Sequence, residues 1–234
     1  TYRYERALVR KANTTDKQIL SLIGRYNEEV KQENSNKNPT VNSTQRDYMA
    51  GEVSKDITRR FLLPKDILDA HEQGIIHFHD ADYFAQPMYN CCLVNLDDML
   101  QNGTVISGTK IEKPHSFATA CNIATQIIAQ VASNQYGGQS ITLSHLAPFV
   151  DISRQKAIKA VKQEIKNAGV TLSEDIIKQI AEERVRKEIS TGVQTIQYQI
   201  ITLMTTNGQA PFVTVFMYLD EVPEGQTRDD LALI

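Results

Sequence analysis

Three short stretches of this chain carry side chains whose types and spacing suit chemistry. The first is His77-Phe78-His79-Asp80-Ala81-Asp82. It sets two imidazoles two residues apart, hence on one face of a strand, with carboxylates directly behind them. Such a group can ligate a metal, but the motif holds only two nitrogen ligands, and imidazoles hydrogen-bonded to carboxylates at a strand end are the better explanation. The second is Met88-Tyr89-Asn90-Cys91-Cys92-Leu93-Val94, which places adjacent thiols on a strand. Alternation then points one thiol at a cavity and the other into the packing layer, unless both are merely small apolar side chains. The third, Asn207-Gly208-Gln209, sits where a helix gives way to a strand; there, free backbone groups and amides hold a polar ligand or simply form a turn. A phosphate-cradling loop is missing, because Gly137-Gly138 has neither the glycine spacing nor the lysine of one.

The elements that must position these groups are mostly helices. Asn13 or Thr15 caps a helix to about Gln32, and a second runs from about Ser43 to Phe61. A short third opens at Pro64 and stops at Gly74. Strands are expected at Ile75–His79 and Cys91–Val94, followed by a small hairpin containing Asn102-Gly103 and Ser107-Gly108. Ser116 caps a long helix with Phe117, Ala120, Cys121, Ala124, Ile127, Ile128 and Val131 as its apolar stripe, closed by Gly137-Gly138. Two charged helices follow at about 151–167 and 173–190, the latter extending toward Thr206, and a buried strand begins at Phe212.

Composition narrows the partners. The 234 residues carry 25 Lys+Arg against 28 Asp+Glu, a formal charge of −3, which gives no bulk electrostatic reason to bind nucleic acid or an anionic membrane. No purely apolar run long enough to cross a membrane occurs, and the first residues lack the apolar core of a signal peptide. Three cysteines make neither a disulfide framework nor a four-thiolate zinc site, so a reducing, cytoplasmic setting is expected. Two tracts, Pro114–Val150 and Thr191–Leu219, contain no Asp, Glu, Lys or Arg but many amides. They are expected to be the buried heart of the molecule, with the amides in polar networks, a wet cavity or an interface.

HFHDADYF, QPMYNCCLVNLDDML, KPHSFATACNIATQIIAQVASNQYGGQSI, LAPFV and TTNGQAPFVT, in this order over roughly residues 60–220, resemble the anaerobic (class III) ribonucleoside-triphosphate reductases, which are glycyl-radical enzymes. Residues 1–12 also resemble the exit from the ATP-binding cone that precedes the catalytic domain in many of them. The resemblance implies an α/β fold: part of a ten-stranded α/β barrel around a finger loop. Residues 1–14 would be a linker after a cone that is not in these residues, 15–74 the N-terminal helices, and 75–234 the first part of the barrel with dimer-interface helices.

Further implications concern the site. In the family a glycyl radical, made by an S-adenosylmethionine and iron–sulfur activating enzyme, generates a thiyl radical that takes the ribose 3′-hydrogen. A second cysteine on the first barrel strand delivers hydrogen as the 2′-hydroxyl leaves. That cysteine corresponds to Cys91, with Asn90 beside it, while Cys92 faces the packing layer. His79, Asn207, Gly208 and Gln209 are the implied substrate contacts. Ser116, Gln126 and Gln199 are the implied residues of a homodimer interface that binds a deoxynucleotide or ATP effector. No cysteine follows Cys121, so the thiyl-radical cysteine, the C-terminal zinc site and the glycyl-radical motif are not in these residues. No metal or cofactor is expected on this segment, and it is expected to be inactive alone, as one part of an enzyme supplying deoxyribonucleotides for DNA synthesis. The competing readings are a metal-dependent hydrolase using His77 and His79, which predicts bound metal, and a helical interaction module without catalysis.

Overall fold

The computed structural model describes residues 41–203, 205 and 211–234, together with Thr15, Lys17 and Ile19, which are helical. Most of the helix expected from residue 15 to 32, and all of Asn207, Gly208 and Gln209, lie outside the described residues. The chain divides into two compact units, residues 1–89 with 206–209 and residues 90–205 with 210–234.

In the first unit, α1 (Asn42–Ile57) runs into a wider π-helical turn, Thr58–Leu62. Pro64 then starts α2 (Lys65–Glu72), as its fixed φ favours. The strand expected at Ile75–His79 does not form. Ile75 N–H donates to the Ala70 carbonyl at 2.9 Å and so finishes the end of α2. Five residues on, Asp80 adopts a left-handed conformation (φ 56°) that turns the chain into α3 (Ala81–Phe84). Thr58 Oγ1 donates to Ala81 O at 3.0 Å, and Phe78 meets the Phe84 ring edge to face, so α3 is pinned to the end of α1.

The second unit is a helical layer against a small parallel sheet. Its elements are β1 (Cys92–Leu93), α4 (Leu96–Gln101), β2 (Thr104–Ile106), β3 (Thr109–Ile111), α5 (Phe117–Ser133), β4 (Gln139–Thr142), α6 (Pro148–Ala168), α7 (Glu174–Thr202), β5 (Val213–Phe216) and α8 (Gln226–Leu233). The β2–β3 hairpin turns through Ser107 (φ 49°) and Gly108 (φ 80°), the two positive values that the tightest hairpin turn demands. The sheet order is β1-β4-β5, all parallel. Its central strand, β4, has no counterpart among the expected elements: four residues with a buried glutamine give too short and too polar a signal to stand out.

The apolar stripe of α5 packs as its spacing dictates. Phe117, Ala120, Cys121, Ala124, Ile127 and Ile128 are all buried, with Leu96 and Leu100 from α4, Phe149 and Val150 from α6, and Val185 and Ile189 from α7. At the α5–α7 crossing, Gly192 is essential to the approach. A Cβ there would lie 2.7 Å from the Phe117 ring and 2.9 Å from Cys121 Sγ. The two uncharged tracts are buried only in part. Gln135 and Gln139 are interior, whereas Asn122, Gln126, Gln130, Gln194 and Gln197 are exposed, because α5 and α7 each turn one stripe away from the core. No described helix is long and apolar enough to cross a membrane.

Candidate functional site

The parallel register sorts the sheet into two faces. Cys92 lies beside Gln139 and Val213, Leu93 beside Ser140 and Thr214, and Thr142 beside Phe216. On the inner face Cys92 packs against the core, Val94 and Ile141 are buried, and Gln139 Nε2 donates to the Ile128 carbonyl of α5 at 2.9 Å. On the outer face Leu93 is 81% exposed. Cys91, two residues before Leu93, is exposed too, so alternation separates the two thiols as the strand reading requires. Burial, and secondarily the neighbouring thiol, push Cys92 up from its ordinary value. Cys91 Sγ donates to Asn90 Oδ1 at 3.3 Å, and its sulfur remains open to solvent.

A cavity of about 650 Å³ opens beside the sheet, its lining drawn from the outer set (Leu93, Ser140, Thr142) and from the inner one (Val94, Ile141), together with Ser144, Phe216 and Glu221. It lies at the C-terminal ends of the strands, the usual place for ligands on open parallel sheets. The Cα of Leu93 stands roughly 7 Å from that of Cys91, two strand residues away. Glu221 Oε2 accepts from Ser144 Oγ at 2.7 Å and from Thr142 Oγ1. Those two hydroxyls, Thr142 first, hold its carboxyl below the usual carboxylate range. Nothing in the sequence pairs Glu221 with residues nearly eighty positions earlier; only the β4–β5 pairing brings them together.

The other expected site residues are placed as follows. His77 Nε2 and His79 Nδ1 are 3.1 Å apart and share a hydrogen bond, while His79 Nε2 lies 3.2 Å from Asp80 Oδ1. Both nitrogens of His79 are thus engaged locally. Among the described residues no group of three or more His, Cys, Asp or Glu is arranged to hold a metal ion. Ser116 is the cap of α5, its Oγ accepting from Thr119 N–H at 3.2 Å. Phe117 N–H donates to Ser153 Oγ and Ala118 N–H to Glu188 Oε1, so the first turn of α5 is satisfied from within the unit. Glu188 also raises the Cys121 thiol, which burial above all pushes up to about 12. Gln199 Oε1 accepts from Thr125 Oγ1, and its Nε2 donates to Asn122 Oδ1 at 3.3 Å. Gln126 and Gln199 line one small groove between α5 and α7, of about 130 Å³, some ten helical residues from Ser116.

Comparison with known proteins identifies the family. The family model described as anaerobic ribonucleoside-triphosphate reductase matches residues 33–234. Curated relatives that carry this name are 41% identical over 217 residues in Haemophilus influenzae, 41% over 218 in Escherichia coli and 42% over 206 in Enterobacteria phage T4. These alignments cover 91%, 91% and 86% of this chain but only 30%, 29% and 32% of the relatives, so the chain spans about a third of their length. Among solved structures, the anaerobic ribonucleotide reductase from Thermotoga maritima in complex with dATP and CTP is similar in fold. Its TM-score is 0.56 at 14% identity, covering 94% of this chain and 40% of that one. The same enzyme with MES in the active site gives 0.57 at 12% identity, covering all of this chain and 40% of that one.

Proposed function

Because the chain belongs to the anaerobic ribonucleoside-triphosphate reductase family, we propose that it forms the substrate-facing first part of such a reductase, with Cys91 as the hydrogen donor at the ribose. One observation carries the reading. Cys91 is an exposed thiol on the open face of a parallel sheet, its hydrogen on the Asn90 amide, while the adjacent thiol is turned into the core.

In this reading the open β1-β4-β5 sheet is part of a ten-stranded barrel, and its outer face looks toward the substrate. A ribonucleoside triphosphate lies along that face. Cys91 gives up its S–H hydrogen as the 2′-hydroxyl departs as water, and formate or a small redox protein supplies the reducing equivalents. His79 and the segment Asn207-Gly208-Gln209 contact the substrate. The thiyl-radical cysteine, the glycyl radical with its activating enzyme, and the zinc site belong to sequence outside these 234 residues, so the segment alone does not turn over.

The exposed, uncharged stripes of α5 and α7, including Gln126, Gln130, Gln194 and Gln197, suit a wet contact between two copies of the protein. Gln126 and Gln199 belong to that contact, and Ser116 to its far end. The T. maritima enzyme is described with dATP in a specificity site, and a deoxynucleotide effector near this contact is part of the same proposal. So is a reducing, cytoplasmic setting. Neither the hydrolase nor the interaction module is favoured, since the family model and the curated relatives are those of reductases and, among the described residues, the two imidazoles bond each other rather than converge with carboxylates on a metal position.

The test is anaerobic nucleotide reduction by a complete reductase carrying this segment, activated by its radical-generating partner. Cys91→Ser is expected to abolish deoxynucleotide formation while the glycyl radical still forms. Turnover at the unsubstituted rate would remove Cys91 from the reduction step.

A further inference from the structure

The glycine pair that leads into β4 touches the residues that lead into both neighbouring strands. On one side, a Cβ at Gly137 would fall 2.0 Å from the Asn90 carbonyl oxygen and 2.2 Å from Asn90 Oδ1. The space that any other residue would fill is therefore taken by the Asn90 amides. On the other side, a Cβ at Gly138 would meet the Phe212 ring at 2.6 Å. The turn itself is held from beneath and from beside. The Gly137 carbonyl accepts from Nε2 of Gln135, which is 2% exposed, and the Gly138 carbonyl accepts from Cys92 N–H at 3.2 Å.

We infer that Gly137 is a positioning residue for Cys91: it seats the Asn90 side chain so that Oδ1 accepts the Cys91 S–H. This rests on the proposed role of Cys91 only for its catalytic meaning; the seating itself is a property of the thiol. Asn90 has a short side chain, and on a bare loop its amide would rotate freely. Here its oxygen lies directly over the Gly137 α-carbon, whose backbone cannot retreat because Gln135 and the β1–β4 ladder hold it. The thiol hydrogen thus has a fixed acceptor and the sulfur a fixed direction on the outer face. Gly138 has a different duty. Its neighbour is the edge of a half-exposed ring that can swing aside, so a methyl group there moves Phe212 rather than Asn90.

The test is made on this chain, measuring iodoacetamide alkylation of Cys91 by mass spectrometry at fixed pH. Asn90→Ala removes the acceptor, frees the S–H and is expected to change the alkylation rate roughly two- to tenfold, the range for one modest hydrogen bond. Gly137→Ala should give a change of similar size, and Gly138→Ala a smaller one. The decisive readout is the double variant. If Gly137 acts through the Asn90 side chain, the effect of Gly137→Ala is diminished on a background of Asn90→Ala, the remainder coming from the Asn90 carbonyl that the added methyl also meets, whereas a general loosening of the fold would add in full. A rate unchanged by Asn90→Ala, or an undiminished Gly137→Ala effect in the double variant, would overturn the inference. Should Gly137→Ala not fold, the Asn90→Ala rate still decides, together with Gln135→Leu, which releases the Gly137 carbonyl and should shift the rate in the same direction. In a complete reductase, Gly137→Ala should lower kcat with KM within about twofold. Silence of Cys91→Ser there would sink the catalytic reading while leaving the alkylation result intact, so the two failures are distinguishable.

Discussion

The two faces of the β1-β4-β5 sheet are built from the same few residues in strict alternation, yet they differ in almost every physical respect. Beneath it, Cys92, Val94, Gln139 and Ile141 meet α5, and the one polar side chain among them finds a helix carbonyl. Above it, Cys91, Leu93, Ser140 and Thr142 border open space. The contrast shows that a shift of one residue in register would exchange an exposed thiol for a buried one. The sheet therefore has to be anchored before the chemistry can be, and the anchoring is done by the inner face.

The contrast can be tested most severely beneath the sheet. Phe117 is fully buried where α5 meets Gly192 of α7, so Phe117→Ala should cost about 3–5 kcal/mol in denaturant unfolding. A cost below about 1 kcal/mol would mean the helical layer is not the anchor. The thiols come next. At pH 8 Cys91 should alkylate on the order of a hundredfold faster than Cys121, whose proton is retained by burial. The same burial has a sign that can be checked. An unfolded thiol ionises near its ordinary 9.0 but the folded Cys121 only at about 12, so its contribution is intact below 9 and is lost as pH rises through that window. The stability gap between the unsubstituted chain and Cys121→Ala should narrow accordingly, and a gap that is flat with pH would deny the burial. The smallest effect belongs to the outer face, where Leu93→Ser should change stability by no more than about 0.5 kcal/mol. A larger loss would mean that the face is packed against something.

Much of the helical layer is legible in the sequence, because α5 has a long, regular apolar stripe and a serine cap, and a 3.6-residue period is hard to counterfeit over seventeen residues. That the two adjacent thiols part to opposite faces follows from alternation alone, whereas the choice of Cys91 as the outward one comes from the family resemblance. What the sequence hides is set by pairing between distant segments. Ile75–His79 has strand-like composition, but its first amide is claimed by the end of α2. Conversely, β4 is a poor strand by composition and becomes the central one because β1 and β5 both ladder onto it. The uncharged tracts mislead in a related way: absence of charge does not by itself mean burial on folding, and the amide stripes of α5 and α7 are exposed in this chain. Gly137, silent in the sequence except as a helix stop, gains its meaning only from the Asn90 amides laid across it.

The most direct measurement exchanges the two faces one thiol at a time. In a complete reductase carrying this segment, Cys91→Ser and Cys92→Ser are compared for anaerobic deoxynucleotide formation, with the glycyl radical quantified by electron paramagnetic resonance. Product should vanish with the radical intact for Cys91→Ser and persist for Cys92→Ser. Equal turnover in both variants, or loss confined to Cys92→Ser, would contradict the assignment of the open face as the site of chemistry.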